Sequence, residues 1–96
     1  MGPRLRRDAM YRVLLAPPAR RALEQTLPIA VAHAAWEFIR GPLAENPHRV
    51  GKPLRGDLDG LWSARRGSYR VVYSIDEGVV TVFIMRIAHR RDAYRP

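Results

Sequence analysis

In Tyr69-Arg70-Val71-Val72-Tyr73-Ser74-Ile75, bulky side chains at 69, 71, 73 and 75 alternate with an arginine, a valine and a serine. A period of two sends alternate side chains to opposite faces of a strand. Asp76-Glu77-Gly78 follows, and then a run rich in β-branched residues from Val79 to Ala88. Two such runs around an acidic-glycine turn predict a β-hairpin. A lone hairpin is marginal in water, so the rest of the chain must extend it and cover one face. Leu61 to Arg65, linked to it by the Gly67-Ser68 turn, predicts the neighbouring strand of a three-strand meander.

Upstream the period lengthens. Tyr11 to Leu15 reads as a strand that Pro17-Pro18 ends, and proline also suits the first turn of a helix. Ala19, Ala22 and Leu23 lie at helical spacing, with Arg20, Arg21 and Glu24 on the other side. Pro28 interrupts that helix and opens a second, in which Ile29, Ala32, Ala35, Trp36 and Ile39 recur at spacings of three and four, with Phe38 widening the stripe. Gly41-Pro42 is expected to stop it. Residues 43–60 hold Pro47, Gly51, Pro53, Gly56 and Gly60 and read as an ordered but irregular connection. Residues 1–9 read as a loose tail, Met10 is an alternative start, and 89–96 read as a polar tail. The expected fold is α+β: one domain over 10–96, with a small antiparallel sheet (the N-terminal strand plus the meander) packed on an N-terminal helical hairpin.

Charge narrows the function. Seventeen Lys and Arg against nine acids leave +8 on 96 residues, and every basic residue except Lys52 is arginine or histidine. Such a surplus favours polyanions, nucleic acid foremost, with an acidic protein close behind. With no cysteine, disulfide scaffolds, thiolate metal sites and cysteine nucleophiles are excluded. The three histidines lack metal-ligand spacing, so neither a metal nor another cofactor is expected. No apolar run spans a bilayer, and Arg4, Arg6 and Arg7 without a following apolar stretch do not read as a secretory signal, which points to the cytoplasm.

Alternation leaves Arg70 on the face away from the helices, with either Arg65 or Arg66 beside it. The last strand ends near His89 and Arg90 and pairs with the strand carrying Arg70. Arg49, Lys52 and Arg55 enter from the connecting loop, and Tyr94 lies in the tail. Together these residues can clamp a phosphodiester, with Tyr94 stacking on a base. Each also has a plainer explanation: Arg70 as a solvated strand arginine, His33 as packing or surface, His48 as a loop histidine, His89 as an exposed tail residue, Trp36 and Trp62 as core. The residues by themselves support a basic α+β domain for an anionic partner.

Asn46-Pro47-His48-Arg49-Val50-Gly51-Lys52-Pro53-Leu54, followed by Leu58-Asp59-Gly60-Leu61-Trp62-Ser63-Ala64-Arg65-Arg66-Gly67-Ser68-Tyr69-Arg70-Val71-Val72-Tyr73, resembles the RelE/ParE superfamily of bacterial type II toxins. Ile87-Ala88-His89-Arg90-Arg91-Asp92-Ala93-Tyr94-Arg95 resembles the end of its RelE and YoeB-like branches. The resemblance implies a metal-independent, ribosome-dependent mRNA endonuclease in which the 2′-hydroxyl attacks the adjacent phosphate. It also implies an acidic cognate antitoxin. By resemblance, Arg70 is the central phosphate-binding arginine, supported by Arg65, Arg90 and Lys52. His89 and Tyr94 match the C-terminal proton-transfer and stacking residues, and Arg49, Arg55 and Arg66 are expected RNA contacts. Two departures stand out. Leu54 and Arg55 follow Pro53 where YoeB-like toxins carry a glutamate base, and Leu61 and Ser63 stand where RelE carries lysines. The general base is thus unassigned. The alternatives are a ParE-like, non-catalytic inhibitor of DNA gyrase and a weakened, antitoxin-binding homologue.

Overall fold

The computed structural model describes residues 10–89. The expected tail over 1–9, together with Arg90 and Tyr94, lies outside them. Five strands, β1 (Arg12–Leu15), β2 (Lys52–Pro53), β3 (Trp62–Arg66), β4 (Tyr69–Asp76) and β5 (Thr81–His89), form one sheet in the order β1-β5-β4-β3-β2. The β2-β3-β4-β5 pairs are antiparallel, while β1 runs parallel to β5 and makes the sheet mixed. Helix α1 (Pro17–Arg21) continues through Ala22–Thr26, α2 (Ile29–Phe38) through Ile39–Leu43, and α3 is a single turn (Pro47–Val50). The α+β architecture is the one expected, with one correction: the sheet is not wholly antiparallel, because the helical crossover returns the chain so that β1 lies parallel to β5.

Local chemistry explains the helix ends. Pro17 and Pro18 occupy the first turn of α1, where no amide hydrogen is required. Its second half widens, and Leu27 N–H donates to Ala22 O, five residues back, at 3.0 Å. Leu27 is extended (φ −80°, ψ 145°), as a residue before proline should be, and Pro28 then leads into α2. Gly41-Pro42 does not stop α2. The helix instead passes through Pro42 as a widened turn in which Ala44 N–H reaches Ile39 O. Widening to a five-residue spacing accommodates a residue with no hydrogen to donate. The irregular connection is more ordered than its composition suggests, because Lys52–Pro53 adds an edge strand to β3.

The helices cover one sheet face. Val71 and Tyr73 of β4, Val82 and Ile84 of β5, and Ala64 of β3 pack against Ala19, Ala22, Ala35, Phe38, Ile39 and Leu43. Ile39 and Leu43 are fully enclosed, and each such side chain contributes about 1.5–3 kcal/mol by burial. The alanines at 19, 22 and 35 allow the helix backbones to approach the sheet closely. Trp36, expected in the core, is 38% exposed because α2 turns its Ala35, Phe38 and Ile39 edge inward.

Strand β5 begins at Thr81, two residues later than expected, and Val79 and Val80 lie in the turn. Val80 takes φ 46°, a costly conformation for a β-branched residue. It is held there because Arg12 N–H donates to Val80 O at 2.9 Å and the Thr81 hydroxyl donates to Val79 O at 2.8 Å. The turn is tied further by the Tyr11 hydroxyl, which donates to Glu77 Oε1 at 2.7 Å, and by His48 Nε2, 2.7 Å from Glu77 Oε2.

Two tyrosines make stability depend on alkaline pH. The hydrogen bond to Glu77 and, secondarily, burial push Tyr11 from 10.0 up to about 12. Burial pushes Tyr73 to about 12 as well, and its hydroxyl donates to Pro47 O at 2.6 Å. Both groups hold their proton more tightly when folded, so their contribution is complete below pH 10 and is lost as pH rises through about 12. Denaturation midpoints should therefore be flat up to pH 10 and fall above it. Tyr11→Phe should make that fall shallower, and an unchanged slope would count against this linkage.

Candidate nucleic-acid interface

Among the described residues no element covers the sheet face away from the helices, and strand register fixes its contents. Arg65 pairs with Arg70, and Arg70 with Ala88. In the next row Lys52 pairs with Ser63, Ser63 with Val72, and Val72 with Arg86. Residues directly opposite share a face. Lys52, Arg65, Arg70 and Arg86 are exposed, whereas Ser63, Val72 and Ala88 between them are half-buried. The result is a shallow floor of small side chains bordered by four long cations.

Arg65 and Arg70 stand directly opposite each other, an arrangement of like charges that is unfavourable by itself. Among the described residues none of the four cations is paired with a carboxylate, since the ion pairs formed are Arg20–Glu24, Arg40–Glu37 and His48–Glu77. An unneutralised cluster of guanidinium groups on a fixed sheet is pre-arranged for a phosphate, which accepts their parallel hydrogen bonds. No three His, Asp or Glu side chains converge to hold a metal ion among the described residues.

Register settles the choice between Arg65 and Arg66. Arg66 pairs with Tyr69, whose side chain is buried against the helices. Its guanidinium carbon lies 4.5 Å from the centroid of the Phe38 ring, and its Nη1 donates to Arg65 O at 2.9 Å. Strand alternation carries Arg66 to the helix side, away from the Arg65–Arg70 pair, where it stacks on Phe38. Arg66→Ala should cost about 0.5–1 kcal/mol of stability, the usual worth of such a stack. Chemical denaturation checks this, and a variant as stable as the parent would contradict the stack on Phe38.

His89 closes β5 opposite Tyr69, so it is adjacent in sequence to Arg70's partner Ala88 but has the register of the helix-facing side. The expected meeting of His89 with Arg70 is therefore not made by strand pairing. Arg49, on α3, donates its amide to Asn46 Oδ1 at 3.3 Å and is exposed, and Arg55 is exposed just after β2. They flank Lys52 along the chain without entering the two paired rows. His48 is held by Glu77 and packs edge-on to Trp62 with ring centroids 5.2 Å apart, a structural arrangement. His33 borders an apolar groove of about 280 Å³ between the helices, with Leu15, Leu23, Ala32 and Trp36. Arg86 was missed by sequence reading, because its face depends on an irregularity in β5 that alternation does not reveal.

Fold and charge together define a basic α+β domain with one sheet face covered by helices and the other, among the described residues, left open. The family model described as ParE toxin of the type II toxin-antitoxin system, parDE, matches residues 13–94. Toxin RelE of Mycobacterium tuberculosis is 56% identical over 88 residues, covering 92% of this chain and 90% of that protein. Toxin RelG of the same organism is 49% identical over 85 residues, covering 88% and 97%. The crystal structure of the toxin–antitoxin complex RelBE2 from M. tuberculosis contains a chain that superposes with a TM-score of 0.80 at 49% identity, over 85% of this chain and 93% of that one. The intact Escherichia coli RelBE complex matches at a TM-score of 0.69 and 21% identity, over 82% and 95%, a likeness of fold. The chain belongs to the ParE toxin family of type II toxin–antitoxin systems, within the RelE/ParE superfamily.

Proposed function

We propose that this toxin is a ribosome-dependent mRNA endonuclease that uses the RNA's own 2′-hydroxyl as nucleophile. The observation that carries the reading is the Arg65–Arg70 pair, two guanidinium groups directly opposite on an open face with no carboxylate beside them among the described residues. Attack by a 2′-hydroxyl on the neighbouring phosphorus builds negative charge on the phosphoryl oxygens. Donors fixed before reaction stabilise that charge without reorganising. Arg70 is assigned to the scissile phosphate, Arg65 supports it, and Lys52 adds positive charge from the edge of the same face. The 5′ oxygen leaves and a 2′,3′-cyclic phosphate remains, so neither a protein nucleophile nor a metal enters the scheme. Relatives named Toxin RelE and Toxin RelG support the same reading.

The +8 chain is assigned an acidic antitoxin that covers the arginine face, as the M. tuberculosis relative is found in a toxin–antitoxin complex. Covering that face neutralises the guanidinium groups and excludes RNA in one step. The site of action is the cytoplasm, where ribosomes and mRNA meet. Incubation of the purified chain with programmed ribosomes tests the reading, with product ends analysed for a cyclic phosphate. Cut mRNA bearing that end is expected. Intact mRNA, above all with inhibited DNA gyrase, would overturn the nuclease assignment.

A further inference from the structure

We infer that Arg86 is a second phosphate-binding residue of this face, aimed by a β-bulge at Met85 to hold the phosphate adjoining the one on Arg70; the inference rests on the nuclease reading above. Along β5, Val82 and Ile84 face the helices and are fully buried. Unbroken alternation would send Arg86 to that same side and turn Ile87 to solvent. The register breaks between Val72 and Tyr73: Tyr73 pairs with Ile84, and Val72 with Arg86, leaving Met85 without a partner. Past this extra residue the faces are exchanged. Ile87 is buried at 6% exposure and Arg86 emerges on the open face. Bulges interrupt the ladder locally, and they recur beside active sites, where they re-aim a side chain.

The position reached is specific. Arg70 pairs with Ala88 and Arg86 is two residues away on the same strand, so the two arginines are diagonal neighbours, with Cα atoms about 7–8 Å apart. Arg65, Arg70 and Arg86 thus bracket Val72 and Ala88, small side chains that leave the floor low. Among the described residues Arg86 has no carboxylate partner. One guanidinium suits one phosphate with paired hydrogen bonds, and a strand crossing the floor presents its next phosphate to the next guanidinium.

The test uses the full chain with Arg86→Ala, Arg86→Lys and Arg70→Ala. The probes are a short single-stranded RNA carrying 2′-O-methyl groups, which cannot be cut, and mRNA on programmed ribosomes. Arg86→Ala should keep the thermal midpoint, weaken RNA binding about tenfold, as loss of a charged hydrogen-bonded contact does, and slow cleavage. It should also reduce the slope of log affinity against log salt by about 0.7, the value for one phosphate of a single strand. Arg86→Lys should restore the slope but not the full affinity. Wild-type slope and rate in Arg86→Ala, alongside a collapse in Arg70→Ala, would overturn the role of Arg86 and leave the nuclease reading standing. A salt slope sensitive to Arg86→Ala with mRNA left uncut would overturn the nuclease reading and support the phosphate contact. Absence of RNA binding by the wild-type chain would overturn both.

Discussion

Arg70→Ala is expected to lower the rate of mRNA cleavage by about 10²–10³-fold, the usual consequence of removing one pre-arranged donor from developing charge. The fold should persist. Arg70 is exposed, and its neighbours on β3 and β5 are held by backbone pairing that the substitution leaves in place. Stability should even rise by a few tenths of a kcal/mol, because the variant removes one of two like charges directly opposite each other. Arg70→Lys should recover little, since an ammonium keeps the charge but not the two-pronged geometry. Single-turnover cleavage on ribosomes, with unfolding curves for each variant, checks all of this. A variant that cleaves as fast as the parent would remove Arg70 from the site.

Gly51→Ala is expected to be among the most destabilising small substitutions in the chain, although Gly51 has an ordinary extended backbone with φ −131°. The reason is space. A Cβ at this position would overlap the Tyr73 hydroxyl and lie 2.9 Å from the Ser63 carbonyl oxygen. Tyr73 is fully enclosed, so its ring has nowhere to move, and its hydroxyl would lose Pro47 O. Overpacking of this kind costs about 1–3 kcal/mol, and leaving a buried hydroxyl unsatisfied adds about 1–3 kcal/mol. A loss of about 3 kcal/mol is therefore expected in chemical denaturation. In the Gly51→Ala background, Tyr73→Phe should be less damaging than it is alone, since it removes the overlapping atom. The approaches to Ser63 O and, at 3.1 Å, to the ring Cζ would then remain. Additive effects would show that the two residues do not meet. The contact also explains a glycine in front of Lys52: the chain must pass directly over Tyr73 to deliver Lys52 into register with Ser63.

Much of this was legible in the sequence. Alternation in β4 separates Arg70 from the buried Val71 and Tyr73, and the structure keeps that division. The order of strand, two helices and meander followed from the change of period near residue 60. Three features were not legible, each for a physical reason. Gly41-Pro42 is a stop signal in isolation, but burial of Ile39 and Leu43 holds the helix together through a widened turn. Arg65 and Arg66 are chemically equal neighbours, and only register against Arg70 and Tyr69 assigns them to opposite faces. Arg86 is hidden because a bulge resets parity, and the apolar run Val82 to Met85 before it carries no alternation in which a skipped residue would show.

The central claim is that the open arginine face cuts mRNA, and a map of transcript ends after brief induction tests it most directly. Induction of residues 10–96 should generate new ends inside ribosome-occupied codons, and induction of the Arg70→Ala variant at equal protein level should not. The same ends appearing with both chains, or with neither while growth still stops, would contradict it.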